Sequence, residues 1–402
     1  MPWHLWGCMA IAFLIPFVKK LVPGFIGLLS IYVIVYAIRR KRIHKPAHDG
    51  SLLLLCCIFI LHLTGLVWSE HPREGLQEIG IKLSYAVFPL MAWLMPPLTQ
   101  RQIRSVAQAF AFGCIAFIPL AVGFGIYRSI QHDDITYLVY QNLGIYLHPT
   151  YAAVYQSMGL LILIRSYVRG ESQIRSKALF YVIAVLILLF ICMLESKAGL
   201  ISALISIGFG CYLLRRHIRS YVQVALTGAA AVMIIAIATW LLPGSSSRVE
   251  AAFNDIDHQV ENGQQSETLH VEAKSSTELR LAAWKSSAEL ILQNPAGSGT
   301  GDAQFDINQS YISRGEFYAA QKELNAHNQF LQSGVEHGWP GIALLIVCVA
   351  VFTSWSLKTR DLLMMAFIAI STMNFLFESF LEVQAGIVFF CFWIMVFSKR
   401  LK

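Results

Sequence analysis

The stretch NAHNQFLQSGVEHGWPGIALLIVCVAVF, residues 325–352, changes character part-way along. Its first half is polar, helix-like in spacing, and carries two histidines, His327 and His337. At Gly338-Trp339-Pro340-Gly341 it passes into an apolar run with no charge before Lys358. A surface helix of a soluble protein keeps a polar face, and this run keeps none, so it reads as a membrane span entered from a polar outer region. The stretch therefore poses a question: why do two titratable side chains stand at the entrance?

The rest of the chain has the same character. Of its 402 residues, 56% are hydrophobic and 14% are charged, more apolar than the about 45–50% of soluble domains. Twelve apolar stretches, at 3–18, 21–38, 51–68, 81–97, 105–127, 149–164, 178–194, 198–214, 220–242, 338–354, 361–378 and 384–398, reach or approach membrane length. A membrane helix needs about 20 apolar residues. The first of these stretches is short and the fourth is ambiguous. Alternate loops hold 19 of the 31 Lys and Arg. Because basic loops stay on the cytoplasmic side, this bias puts both termini in the cytoplasm and residues 243–337 outside. The first apolar run is followed at once by a second, so no cleavable signal is expected. The net charge of +7 follows this loop pattern and does not point to nucleic acid. All eight cysteines lie in apolar stretches, which argues against disulfides or a cysteine-based zinc site.

The expected fold class is thus an all-α polytopic membrane protein of about twelve transmembrane helices. Its expected parts are helices 1–9 in residues 1–242, an outer loop with short helices in 243–337, and helices 10–12 in 338–402. Residues 254–274 are polar and unpatterned. From Ser275 to Pro295 a helix is expected: Ser275 and Glu278 have capping-box spacing, Leu281, Trp284, Ala288 and Ile291 recur at helical spacing, and Asn294-Pro295 ends it. Within residues 243–324 there are six basic and twelve acidic side chains. A region of that sign attracts no anion by its general field, so any anion must be held by particular cations. Arg280, one turn from Trp284, is the first candidate. Lys197, in LESKAGL between two stretches, is the second. A cation at that depth needs a partner, either Glu195 or an anionic ligand. Few other charges fall inside the apolar stretches.

The loop GSGTG, residues 297–301, has neither a preceding strand nor a Walker lysine, so it reads as a helix stop with tight turns, although glycines also let backbone amides approach a ligand. The HExxH pattern is absent, and the two histidines of the opening stretch have no third ligand near them in sequence. No metal and no cofactor are expected. Read by spacing alone, His327 is either an interfacial hydrogen-bonding residue or a base. Asn328 beside it suits sugar positioning or orientation of the imidazole, and His337 reads as a membrane-boundary residue. His148 and Tyr151 at the start of the sixth stretch, and Tyr311 and Arg314 in the outer loop, are further possible substrate-binding residues.

Taken together, Arg280-x3-Trp284, Pro295-x-Gly297-x-Gly299, Gly301, His327-Asn328-x-x-Leu331, Gly334, Gly338 and Gly341 resemble the O-antigen ligase and polymerase superfamily over about residues 275–355. The resemblance implies a GT-C-like helical fold and metal-independent, inverting glycosyl transfer at the periplasmic face of a bacterial inner membrane. The implied donor is a glycan on undecaprenyl diphosphate, and the implied acceptor is lipid A–core. It also implies His327 as general base, and Arg280 as a diphosphate ligand. The family's second basic residue follows a serine between two spans. Here Ser196-Lys197 stands in that place, so the charge is kept and the bidentate fork is lost. A polymerase joining lipid-linked repeat units would need the same groups. A lipid or solute transporter, the reading from another class, would carry charges inside spans and internal repeats.

Overall fold

The computed structural model describes residues 2–17, 21–41, 43–46, 49–143, 145, 147–215, 221–241 and 276–400. Among these residues the fold is all-helical, with no strand. The helices are α1 (Trp3–Leu14), α2 (Val22–Arg40), α3 (Asp49–Gly65), α4 (Pro72–Lys82), α5 (Ser84–Leu94), α6 (Gln100–His132), α7 (Pro149–Val168), α8 (Lys177–Met193), α9 (Lys197–Arg215) and α10 (Tyr221–Leu241). After residues outside the description follow α11 (Ser276–Gln293), α12 (Ala303–Ser313), α13 (Phe317–Gln321), α14 (Gln329–Thr359), α15 (Leu362–Phe377) and α16 (Gln384–Ser398). Eleven of the twelve apolar stretches lie mainly on one helix each, and the fourth is divided between α4 and α5. Five helices (α2, α6, α9, α10 and α14) are long and apolar enough to cross a membrane, and shorter apolar helices accompany them.

The burial pattern is that of a bundle in an apolar solvent. Helix α7 is buried on nearly every side between α6 and α9, and α16 is buried along its length. Close approach of α9 to α7 depends on Gly199, where a side chain would overlap Ala153. The peripheral helices turn large apolar side chains outward: Leu28, Ile31 and Ile38 on α2, Leu179 and Val182 on α8, and Val222, Leu226 and Ile237 on α10. Exposed apolar faces of that extent are stable only against lipid or another protein. The multi-pass membrane reading therefore rests on surface as well as on composition.

Helices α11, α12 and α13, with the first turns of α14, form a second small core around Ala283, Ile291, Ile307, Tyr311 and Val335. The sequence expectation for α11 needs one adjustment. The buried stripe of α11 is Ala282, Ala283, Ser286, Ser287 and Ile291, while Leu281, Trp284 and Ala288 are half-buried. Small residues form this contact because α11 packs closely on α14, where a side chain at Gly334 would overlap Ile291. Ser275 and residues 254–274 lie outside the described residues, so neither the capping box nor the unpatterned segment is addressed.

The fourth stretch also differs. Instead of one span it breaks at Leu83 between α4 and α5, and Lys82 at the break is fully buried. Lys82 donates to the Leu381 carbonyl at 3.0 Å and pairs with Glu382. Glu336, His337, Glu378 and Lys399 are buried as well. The expectation of few charged groups inside the apolar part is therefore corrected, and with it one argument used against a transporter.

Candidate active site

His327 sits on the loop that ends at the start of α14. Its backbone is left-handed, with φ of 45°, a region that non-glycine residues enter only when their surroundings fix them there. Five hydrogen bonds do so. The His327 amide donates to the Asn325 side chain at 3.1 Å. The Trp284 indole of α11 donates to the His327 carbonyl at 3.4 Å. The Asn328 side chain accepts from Phe330 and Leu331 as the N-cap of α14. The Asn328 amide nitrogen donates to the Leu376 carbonyl at the end of α15. Asn328 is thus engaged in capping and in holding the loop against α15, and Trp284 orients the loop from the other side.

A residue missed by the sequence reading completes the group. Glu378, in the turn after α15, places one carboxylate oxygen 2.9 Å from Arg280 Nη2 and the other 3.2 Å from His327 Nδ1. It is 98 residues from Arg280 and 51 from His327, at the end of an apolar stretch, so no local pattern ties it to them. Burial opposes its charge, but the hydrogen bond with His327 and the positive fields of His327 and Arg280 hold its carboxyl below the usual carboxylate range. An ionised Glu378 accepts the proton of Nδ1, which leaves Nε2 as the acceptor nitrogen of the imidazole. Arg280 gives one nitrogen to Glu378, and its Nε is buried with no hydrogen-bond partner.

The other predicted residues divide into two groups. Lys197, at the start of α9, donates to Thr277 Oγ1 at 3.4 Å, and Thr277 is one turn before Arg280 on α11. The two cations therefore border one side of the site. Ser196 donates to Thr150 and accepts from the Gly199 amide, tying the start of α9 to the start of α7. His148, the N-cap of α7, lies in the electrostatic reach of Glu378, His327 and Arg280. Burial pushes its imidazole below the ordinary histidine value, with His327 and Arg280 acting the same way and Glu378 opposing them. Tyr151 is buried, stacks on Phe380 at 4.9 Å and donates to the Phe380 carbonyl, two residues from Glu378. By contrast, Tyr311 is a core residue of the second small core formed by α11, α12 and α13. Arg314 pairs with Glu289, two and a half turns along α11 from Arg280.

The loop 297–301 is not available as an anion cradle. Gly338 breaks α14 with φ of 62° and ψ of −152°, and Pro340 has no amide hydrogen. The carbonyls of Val335 and Glu336 therefore lose their partners four residues on. Ser298 donates to Val335 O at 2.8 Å and Gly299 to Glu336 O at 2.9 Å, while Trp339 turns to Pro295 O. The Thr300 amide donates to Gly65 O on α3. The loop's amides are thus used to repair the break in α14. Its glycines, with φ of 83°, 104° and 147°, permit an approach so close that a side chain at Gly297 would meet the α14 backbone.

With this geometry in view, residues 182–346 match the protein family described as O-antigen ligase. Across that region, less than half of its length, the chain is similar to O-antigen ligases. No curated protein matches the chain. The O-antigen ligase match runs from α8 into α14, so it contains Lys197, Arg280, Trp284 and His327. It does not reach His148, Tyr151 or Glu378, which join the group only through the fold. The match supports an O-antigen ligase- or polymerase-type glycosyltransferase activity.

Proposed function

We propose that the protein transfers a glycan from undecaprenyl diphosphate to lipid A–core, without a metal and with inversion, at the periplasmic face of the bacterial inner membrane. On this reading the helices supply about twelve spans of a GT-C-like fold with both termini cytoplasmic. Residues 243–337 then form the periplasmic part of the site. The observation that carries the reading is the Glu378 carboxylate, hydrogen-bonded at once to Arg280 and His327.

A sugar hydroxyl is a poor nucleophile. His327 Nε2 takes its proton as the hydroxyl oxygen attacks the anomeric carbon, and Glu378 orients the ring and stabilises the imidazolium that forms. The bond from the anomeric carbon to the diphosphate oxygen breaks, and its electron pair leaves with the diphosphate. That group is already an anion and needs cations rather than a proton. Arg280 and Lys197 meet it as fixed cations beside the buried Glu378.

Replacement of His327 by alanine should abolish transfer while the protein still reaches the membrane, and wild-type activity in that variant would remove the base from this scheme. A polymerase joining lipid-linked repeat units would use the same groups, and deletion of the chain separates the two readings. Loss of a ligase leaves bare core with polymer accumulating on its carrier lipid. Loss of a polymerase leaves core capped with a single repeat unit.

A further inference from the structure

Two turns along α14 from His327 lies a second group of polar side chains that the transfer scheme does not use. His337 Nε2 stands 2.9 Å from His62 Nδ1 of α3. Glu336 Oε2 lies 3.7 Å from the same His62 nitrogen and 3.8 Å from the same His337 nitrogen. Each of the three residues is at least nine-tenths buried. Glu336 Oε1 accepts from Gln332 at 3.0 Å, whereas Oε2, the oxygen that faces the two imidazoles, has no hydrogen-bond partner. A buried carboxylate oxygen left in that state is costly, and it is aimed at two ring nitrogens that can both present lone pairs.

We propose that His62, Glu336 and His337 bind a divalent cation of the zinc class, with its fourth position open to an adjoining cavity. Ligand atoms around a four-coordinate zinc are separated by roughly 3.3 Å, given bonds of about 2.0–2.1 Å. The observed separations of 2.9, 3.7 and 3.8 Å bracket that value. Two imidazoles and one carboxylate form a donor set that suits zinc and does not suit magnesium or calcium. The local charge agrees. Glu336, Glu382 and Glu78 line the same cavity of about 500 Å³ with a single lysine, Lys82, and Lys82 is already paired with Glu382. A dication restores the balance. It would also pin α3 to α14 at the break repaired by loop 297–301. A side chain at Gly65 would collide with the His337 ring and Thr300, so α3 approaches there as closely as it can. This site is separate from His327, and the inference does not depend on glycosyl transfer.

The test is metal content of the full chain, purified in detergent, exposed to Zn²⁺ and dialysed. About one zinc per chain is expected to remain. Co²⁺ in its place should give the intense visible absorption of a four-coordinate site. Glu336→Gln keeps the acceptor for Gln332 and should fold, as checked by gel filtration, yet lose the bound metal to background. His62→Asn should do the same. His327→Ala should retain its zinc, which separates this site from the transfer reaction. Failure of the wild type to retain zinc would overturn the proposal and leave the two histidines sharing a hydrogen bond. Equal retention by the Glu336→Gln variant would place the metal elsewhere and overturn it as well.

Discussion

The two ends of the outer half of α14 carry the same kinds of residue in different surroundings. At one end, His327 and Glu378 meet Arg280, with the imidazole partly exposed and its backbone held in a left-handed turn. At the other end, His337 and Glu336 meet His62, sealed by α3 and by loop 297–301. A histidine beside a glutamate is therefore not a signature of either role. Access decides it. The first group lies open beside two cations and suits an anionic substrate, while the second lies closed beside a surplus of carboxylates and suits a cation.

The comparison can be broken most severely at the boundary between the two groups. Gly338→Ala adds a side chain at φ of 62° and ψ of −152°, a region open almost only to glycine, and the new carbon would overlap the Pro295 carbonyl. The variant should fail to accumulate as folded protein, measured by yield of monodisperse material in detergent. Glu378→Gln tests the open group. It removes the anion that sets the His327 tautomer, and transfer should fall by roughly 10²- to 10⁴-fold in kcat with a smaller change in KM. The same variant carries a pH signature. The folded pKa of Glu378 is depressed, so its stabilising contribution is complete above the unfolded value of about 4.3 and drains away as pH falls through the folded one. Melting temperature should therefore drop less steeply on acidification in Glu378→Gln than in the wild type.

The closed group is tested by Lys82→Met. This leaves Glu382 buried without its cation and should cost roughly 3–5 kcal/mol, much of it recovered when Glu382→Gln is added. Denaturant titration of the single and double variants measures both. The smallest effect belongs to Arg314→Ala. Its pair with Glu289 lies at the surface, well along α11 from Arg280, so neither thermal stability nor transfer rate should change measurably.

The apolar helices were legible because lipid demands continuous apolar runs, and the break at Gly338-Trp339-Pro340-Gly341 was legible because glycine and proline punctuate any helix. Arg280 and Lys197 stand out by residue type and place, whereas spacing leaves His327 open between a hydrogen-bonding residue and a base, and the family resemblance decides for the base. Glu378 does not stand out. It ends an apolar stretch, where a charged residue has an ordinary explanation, and its partners are brought to it by three helices. His62 was hidden for a stronger reason. It lies within an apolar run 275 residues from His337, so no local pattern connects them. Lys82 falls near the edge of the stretch 81–97, and sequence gives depth along a helix but not which side faces inward. The stripe of α11 was read slightly out of phase because its packing surface is made of alanine and serine, which carry little hydropathic signal.

The exchange of hydrogen bonds at Gly338 has a mechanical consequence. Bonds that would run along α14 run sideways instead, from loop 297–301 and to Pro295. The segment just beyond His327 is thereby fastened to the outer unit, and the apolar segment after Gly341 is fastened to the bundle. The break in α14 is thus cross-braced rather than left open, and His327 stands on the braced side of it.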